Sequence, residues 1–391
     1  MIAQFGKKFN EKEEIIMKHT IFTPYRVCPL GAHVDHQLGQ VTGFAIDRGV
    51  KLEFDITEDG TFDLISKNYP GHIMFTLEDE LEREMLWGDF LKAAIVALSR
   101  KYELRRGIKG VIEGTLPVGG LSSSAAVILT YLNAVCIAND IQITRPEIIS
   151  NAIWAERNYI GVNVGKLDQS CEVYCRKNGL LFLDTLDDSN EIIPVSSNMN
   201  PFEIMIVFGG KERQLAGSAY NTRVDECKAA AYALQAYAGM DYGNYKDTYL
   251  RNVPIGVYLQ YKDRLPENWR KRAEHFYGER QRVKDGIKAW KKGDIEEFGQ
   301  LMFRSGRSSI ELYETGSDNL RDLQDIFENT DGIYGGRFSG AGFNGSSIAL
   351  INPDKKEEIA DKVRKEYIKR HPNLEKDFAI YFVNTADGIK L

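Results

Sequence analysis

The longest apolar run in the chain, AAVILTYLNAVCIA at 125–138, follows directly on the glycine- and serine-rich stretch LPVGGLSSS at 116–124. Thr130 and Asn133 interrupt the run, and it falls short of the ~20 residues needed to cross a bilayer. It therefore reads as a buried helix with a tight loop at its start. Glycines let a backbone approach a ligand closely, the three serines offer hydroxyl and amide N–H groups, and the helix aims its positive end at whatever sits there. Together they make a phosphate cradle. No G-K-[ST] follows, so it is not a P-loop of the NTPase type. A serine-capped helix after a glycine turn is the plainer alternative.

Around this helix the first half alternates between strand and helix patterns. FTPYRVCPL, GFAIDRGVKLEFDI, TFDLISKN and IKGVIEG are rich in β-formers, and WGDFLKAAIVALSRKY has helical apolar spacing. Two further helices are predicted over 145–176, broken at GVNVG, then the strands GLLFLDTL and EIIPVS. After SSNMNP the strand FEIMIVFGG opens a region of long charged helices reaching about 329, followed by a glycine-rich loop, a helix over about 355–370 and the strand FAIYFVN. With 391 residues the chain is too long for most single cores, and the expected division is 1–198 and 199–391. A net charge of -6 excludes a basic field for nucleic acid. The charged N-terminus and the absence of C-x-x-C pairs among five cysteines point to free thiols in the cytoplasm, with no membrane partner.

Three more stretches carry chemistry. WAERNYIGVNVGKLDQS (154–170) sets Glu156 and Asp168 on either side of a glycine-broken turn, and phosphoryl transfer needs one carboxylate for magnesium and another near the attacking hydroxyl. Singly, each acid is as well explained as a solvated helix charge. GGRFSGAGFNGSS (335–347) is either a loop folded against a bound group or a flexible hairpin. RVCPLGAHVDHQLG (26–39) gathers Arg26, His33, Asp35 and His36 on one turn around Ala32. Its His and Asp residues lie too close in sequence to enclose a metal without distant help.

In order and spacing these boxes resemble those of the GHMP small-molecule kinases, and FGGKERQLAGSAYNTR (208–223) resembles a further galactokinase segment. The resemblance covers nearly the whole chain. The opening box is similar to the galactokinase signature R-V-N-x-I-G-E-H-x-D-Y, with Ala32 at the glutamate and His36 at the tyrosine. It is more similar still to the C-P-L-G-A-H-x-D-H-Q of galacturonokinases. The resemblance implies an α+β fold of two domains, an N-terminal one like ribosomal protein S5 domain 2 and a C-terminal ferredoxin-like one, with ATP and a sugar between them. It also implies roles. Asp168 would be the base at the C1 hydroxyl, with Arg26 beside it; His33, Asp35, Gly165 and Tyr220 would hold sugar hydroxyls. Ser124 and Glu156 would hold Mg2+. Gly119, Gly120, Leu121, Ser122, Ser123, Ser124 and Ala125 would cradle the ATP phosphates, with Gly340 and Gly342 in the third loop.

In galactokinases that glutamate is an acceptor for hydroxyls near C6, where galacturonate carries a carboxylate. Two unit charges about 4 Å apart at an effective dielectric near 20 repel by about 4 kcal/mol, roughly a thousandfold in binding. Ala32 removes the charge, so an ATP-dependent kinase forming the α-1-phosphate of D-galacturonate is expected, with His36 and Lys166 as candidate cations for the carboxylate, although Lys166, next to the reactive turn, reads first as a solvent-facing side chain. The alternatives are a kinase for galactose or another sugar, and a sensor that binds sugar and ATP without catalysis. Intact GLSSSAA and Asp168 weigh against the sensor.

Overall fold

The computed structural model describes residues 18–116, 121–211, 217–241 and 243–391. The first sheet is built from β1 (His19–Val27), β2 (Gln40–Thr57), β3 (Thr61–Ser66), β4 (His72–Thr76), β5 (Gly107–Gly114), β6 (Gly179–Asp184) and β7 (Asn190–Pro194). Its order is β4-β3-β5-β2-β6-β7, with β1 also on β2. The 18-residue β2 is long enough to serve two partners in turn, β6 along 40–43 and β5 along 50–57. β4 has no clear pattern in the sequence, because its residues are exposed or half-buried; pairing with β3 and the packing of Ile73 and Phe75 hold it. Between Pro24 and Arg26 the β1–β2 register slips. Proline has no N–H to give the ladder, and a bulge re-aims the next side chain, here that of Arg26.

Helices α1 (Asp89–Ser99), α2 (Ser123–Ala138), α3 (Arg145–Trp154) and α4 (Leu167–Tyr174) belong to this half. α2 is buried nearly all round, as an all-apolar helix must be. α3 starts on a reciprocal cap, in which the Thr144 hydroxyl accepts from the Glu147 N–H while Glu147 accepts from the Thr144 N–H. One wide helical turn over Ala155–Ile160 and the loop after it separate α3 from α4.

The second sheet runs β11-β8-β10-β9, all antiparallel: β8 (Glu203–Gly209), β9 (Ile333–Phe338), β10 (Ser346–Ile351) and β11 (Phe378–Val383). Between β8 and β9 come α5 (Gly217–Tyr237), α6 (Ile255–Tyr261), α7 (Glu267–Lys292), α8 (Ile295–Glu311) and α9 (Asp318–Glu328); α10 (Lys356–Arg370) precedes β11. The short β12 (Thr385–Ala386) returns to pair with β2.

One apolar core runs through both halves. Trp290 of α7, fully buried, lies 5.4 Å from the Phe44 ring of β2 and 5.1 Å from that of Phe298 on α8. Its indole N–H reaches the Ile193 carbonyl at 3.2 Å. Burying such a ring stabilises by about 2–3 kcal/mol, so α7 is anchored firmly against the first sheet. All five cysteines are buried free thiols. Among the described residues no helix is long and apolar enough to cross a membrane.

Candidate active site

A cleft opens where the turn after β1, the start of α2, the loop before α4, the start of α5 and the β9–β10 loop converge. At one end Arg26 meets Asp168. Its Nε donates at 2.8 Å and its Nη2 lies at 2.7 Å, both on Oδ1, while Nη1 reaches the Ser339 hydroxyl at 3.3 Å. Burial works against the Arg26 charge, but Asp168 more than restores it, so the guanidinium stays protonated. Glu172, one turn further along α4, is fully buried. Burial first and then the Asp168 charge push its carboxyl far up, leaving it neutral and Arg26 to Asp168.

Ser122, with a left-handed φ of 68°, precedes α2 and lines the cleft. The hydroxyl of Ser124 donates to Glu156 Oε1 at 2.8 Å, and Gln169 donates to the other oxygen. Glu156 is itself buried, on the wide turn after α3. A hydroxyl and a carboxylate side by side at a helix start are the hard oxygen donors that Mg2+ takes, so these residues fit the ion. Leu121 and Ala125 are buried beside them, and Ser123 is half-buried. Gly119 and Gly120 lie outside the described residues.

Asp35 lines the cleft and accepts the Leu167 N–H at 3.2 Å. Burial and then the nearby Asp168 raise its pKa, opposed by backbone N–H groups. Gly165 is required here: a Cβ at this position would fall 2.0 Å from Asp35 Oδ2. Tyr220 lines the same wall, and burial followed by the charges of Asp35 and Asp168 pushes its phenol well up, so it remains an O–H donor.

Ala32 and His33 line the cleft beside the β9–β10 loop. His33 holds a φ of 61°, costing about 1–3 kcal/mol for a non-glycine residue. The turn is pinned from several sides. His33 Nε2 donates to the Gly340 carbonyl at 3.0 Å, and its ring stacks on Tyr313 at 4.4 Å. Since a carbonyl only accepts, Nε2 carries the proton and Nδ1 is a bare acceptor, without a protein partner among the described residues. The Gly31 N–H donates to Glu279 of α7 at 2.7 Å, and His275, one turn earlier, donates from Nε2 to the Ala32 carbonyl at 3.0 Å.

One expectation needs correction. His36 does not line the cleft: its ring meets the Tyr313 hydroxyl at 2.9 Å and the Gln37 amide at 3.1 Å, and burial, with other cations around it, lowers its pKa to about 3. It is neutral and cannot answer a carboxylate. Lys166 points elsewhere, to Asp188 at 2.5 Å. In the third loop Gly340 is at the cleft, whereas the Gly342 carbonyl accepts the N–H groups of Gly316 and Ser317 before α9. Sequence reasoning missed His275, Glu279, Tyr313 and Arg337. Arg337 lies inside the quoted third box; the other three had no signal, being ordinary residues of charged helical segments.

Residues 89–176 match the GHMP kinases N terminal domain, and residues 287–369 match GHMP kinases C terminal. A galacturonokinase of Arabidopsis thaliana is 36% identical, over 95% of this chain and 90% of that protein. The chain belongs to the GHMP kinases. Within them it is a sugar kinase of the galactokinase and galacturonokinase type, which transfers a phosphoryl group to a hydroxyl. A galactokinase of Lacticaseibacillus casei (strain BL23) is 33% identical over 99% of this chain and 96% of its own length. The structure of Lactococcus lactis galactokinase complexed with galactose superposes with a TM-score of 0.86 at 29% identity, covering 95% of this chain and 94% of that one. This GHMP kinase therefore shares its whole architecture with galactose-binding relatives, and the two-domain α+β expectation holds.

Proposed function

We propose that this GHMP kinase transfers the γ-phosphoryl group of ATP to the anomeric hydroxyl of D-galacturonate, giving α-D-galacturonate 1-phosphate and ADP. The observation that carries the reading is Ala32. Its methyl group lies at the wall of the cleft, at the position of the galactokinase glutamate, so no carboxylate there opposes an acidic C6. Greater identity to a galacturonokinase than to galactokinases supports the same choice.

Asp168 takes the proton of the C1 hydroxyl as the O1–phosphorus bond forms and the bond to the ADP oxygen breaks. With a reference pKa near 3.9, an aspartate contributes mainly through position and late proton transfer. Arg26 holds Asp168 in place through its paired contacts and stabilises charge on O1. Asp35, Tyr220, His33 Nδ1 and the backbone at Gly165 orient the ring hydroxyls. The start of α2 and the loop from Gly119 to Ala125 receive the phosphates, and Gly340 and Gly342 shape the loop opposite. Ser124 and Glu156 hold magnesium, which when bound neutralises the phosphate oxygens.

The test is ADP release with galacturonate, glucuronate and galactose as acceptors. Galacturonate is expected to give the highest kcat/KM. Galactose turned over equally well or better would make the protein a galactokinase, and no turnover with any sugar would make it a sensor.

A further inference from the structure

Behind Ala32 lies a buried charge cluster that the chemistry at C1 does not use. Glu279, fully buried on α7, accepts from Arg282 Nε at 2.6 Å, from the Ser305 hydroxyl at 2.6 Å and from the Gly31 N–H. The Ser305 hydroxyl in turn accepts from Arg337 Nη1, which lies 3.9 Å from Glu279 Oε1. Arg337 also donates from Nε to the Phe338 carbonyl at 3.0 Å and from Nη2 to the Ser309 hydroxyl at 3.1 Å. It is 1% exposed and is one of the residues lining the cleft with Ala32 and His33.

Two guanidinium groups thus share one carboxylate. Among the described residues, neither Arg282 nor Arg337 has a second carboxylate within ion-pair distance. Burial pushes Glu279 up, but Arg282 and its other neighbours overcome this and hold it at about 2, so it is ionised. The neighbouring His33 and His275 are neutral, mainly through burial. Arg282 is partly exposed and faces a separate cavity, whereas Arg337 is buried at the cleft beside Ala32 with the Glu279 carboxylate 3.9 Å away, where desolvation makes a loosely paired charge costly. Other cations near the cleft are otherwise engaged: Arg26 holds Asp168, Lys166 holds Asp188, and the exposed Arg157 holds the Val164 carbonyl.

We propose that Arg337, backed by Glu279 and Arg282, is the counter-charge for the carboxylate of the sugar acid. The ligand's anion completes the cluster over Ala32, so the missing glutamate and the loosely paired guanidinium form one device for accepting an acidic sugar. This rests on the reading of galacturonate as substrate.

The experiment compares kcat and KM for galacturonate with those for its uncharged C6 amide, in the wild type and in Arg337→Gln, Arg337→Lys, Arg282→Gln and Arg157→Gln, at fixed ionic strength. Removing the charge in Arg337→Gln should lower the ratio of kcat/KM, acid over amide, by about ten- to a hundredfold, chiefly through KM for the acid. Arg337→Lys should recover much of the ratio, because the charge is restored. Arg282→Gln, at the edge of the cluster with every Arg337 bond intact, should lower it by a smaller factor, and it decides the matter if Arg337→Gln does not fold. An unchanged ratio in a folded Arg337→Gln overturns the proposal, as does a fall produced by Arg157→Gln alone. A wild type that ignores galacturonate overturns the substrate reading itself, a result distinct from an active wild type with an insensitive ratio.

Discussion

The two ends of the cleft are built differently. At the reacting end, Arg26, Ser122, Ser124, Glu156 and Asp168 all come from the first 170 residues, and apart from the Arg26 bond to the Ser339 hydroxyl their contacts join neighbouring elements of one sheet-and-helix layer. At the recognition end, the turn at 31–33 is held by His275 and Glu279 of α7 and by Gly340 of the β9–β10 loop, between 243 and 307 positions away. The reacting end uses charges in contact, whereas the recognition end uses neutral histidines and a carboxylate locked among guanidinium groups. On the proposed function, substrate choice would change through packing of the second half while the transfer chemistry stays untouched.

The strongest test of this division strikes the reacting end alone. Asp168→Asn keeps shape and hydrogen bonding but removes the charge, so kcat should fall by about a hundredfold or more while ATP and sugar still bind. Near-normal turnover in steady-state assays would take Asp168 out of the mechanism.

Acid should loosen the recognition end first. His36 and His275 are buried with pKa values of about 3 and about 4, against about 6.5 in the unfolded chain. Below pH 6.5 the unfolded chain binds protons that the folded one refuses. Their contribution is thus complete above pH 6.5 and declines on acidification until the folded pKa is reached, by up to about 1.4 kcal/mol per pH unit for each. Thermal melting between pH 7 and 5 should show a falling Tm, with a shallower fall in His275→Gln. A flat profile would mean these rings are not held neutral.

Ala32→Glu sharpens the contrast within the recognition end. The new carboxylate should cost galacturonate about 1–2 kcal/mol relative to galactose once solvent screening is counted, about a five- to thirtyfold fall in the ratio of kcat/KM. An unchanged ratio in a folded, ATP-binding variant would separate Ala32 from C6. The smallest effect is expected from Glu156→Gln: a several-fold loss of rate that raised magnesium partly restores, because an amide oxygen is a poorer ligand for a hard cation. A deficit indifferent to magnesium would make Glu156 purely structural.

Local chemistry made the reacting end legible. A glycine-serine loop running into an apolar helix, and two acids flanking a glycine-broken turn, are visible within about a dozen residues each, because close backbone approach and helix-end polarity are short-range properties, but each also had a plain structural reading and the roles came from the family resemblance. Alternation and helical spacing marked out individual strands and helices, and the two-domain α+β fold followed from the resemblance of these boxes to those of the GHMP kinases. His275 and Glu279 were not legible. Four positions apart on a helix crowded with charge, they read as a solvated stripe, and only packing of α7 against the first sheet turns them onto Gly31 and Ala32. His36 looked like a cation for the same reason: the sequence names the imidazole, but burial against Tyr313 and Gln37 decides whether it carries a proton. The sequence by itself determined the family boxes from which the phosphoryl-transfer residues are proposed, and that no carboxylate occupies position 32. The tertiary structure alone decided which charges survive around that position, because protonation and ion pairing depend on desolvation by residues far away in the chain.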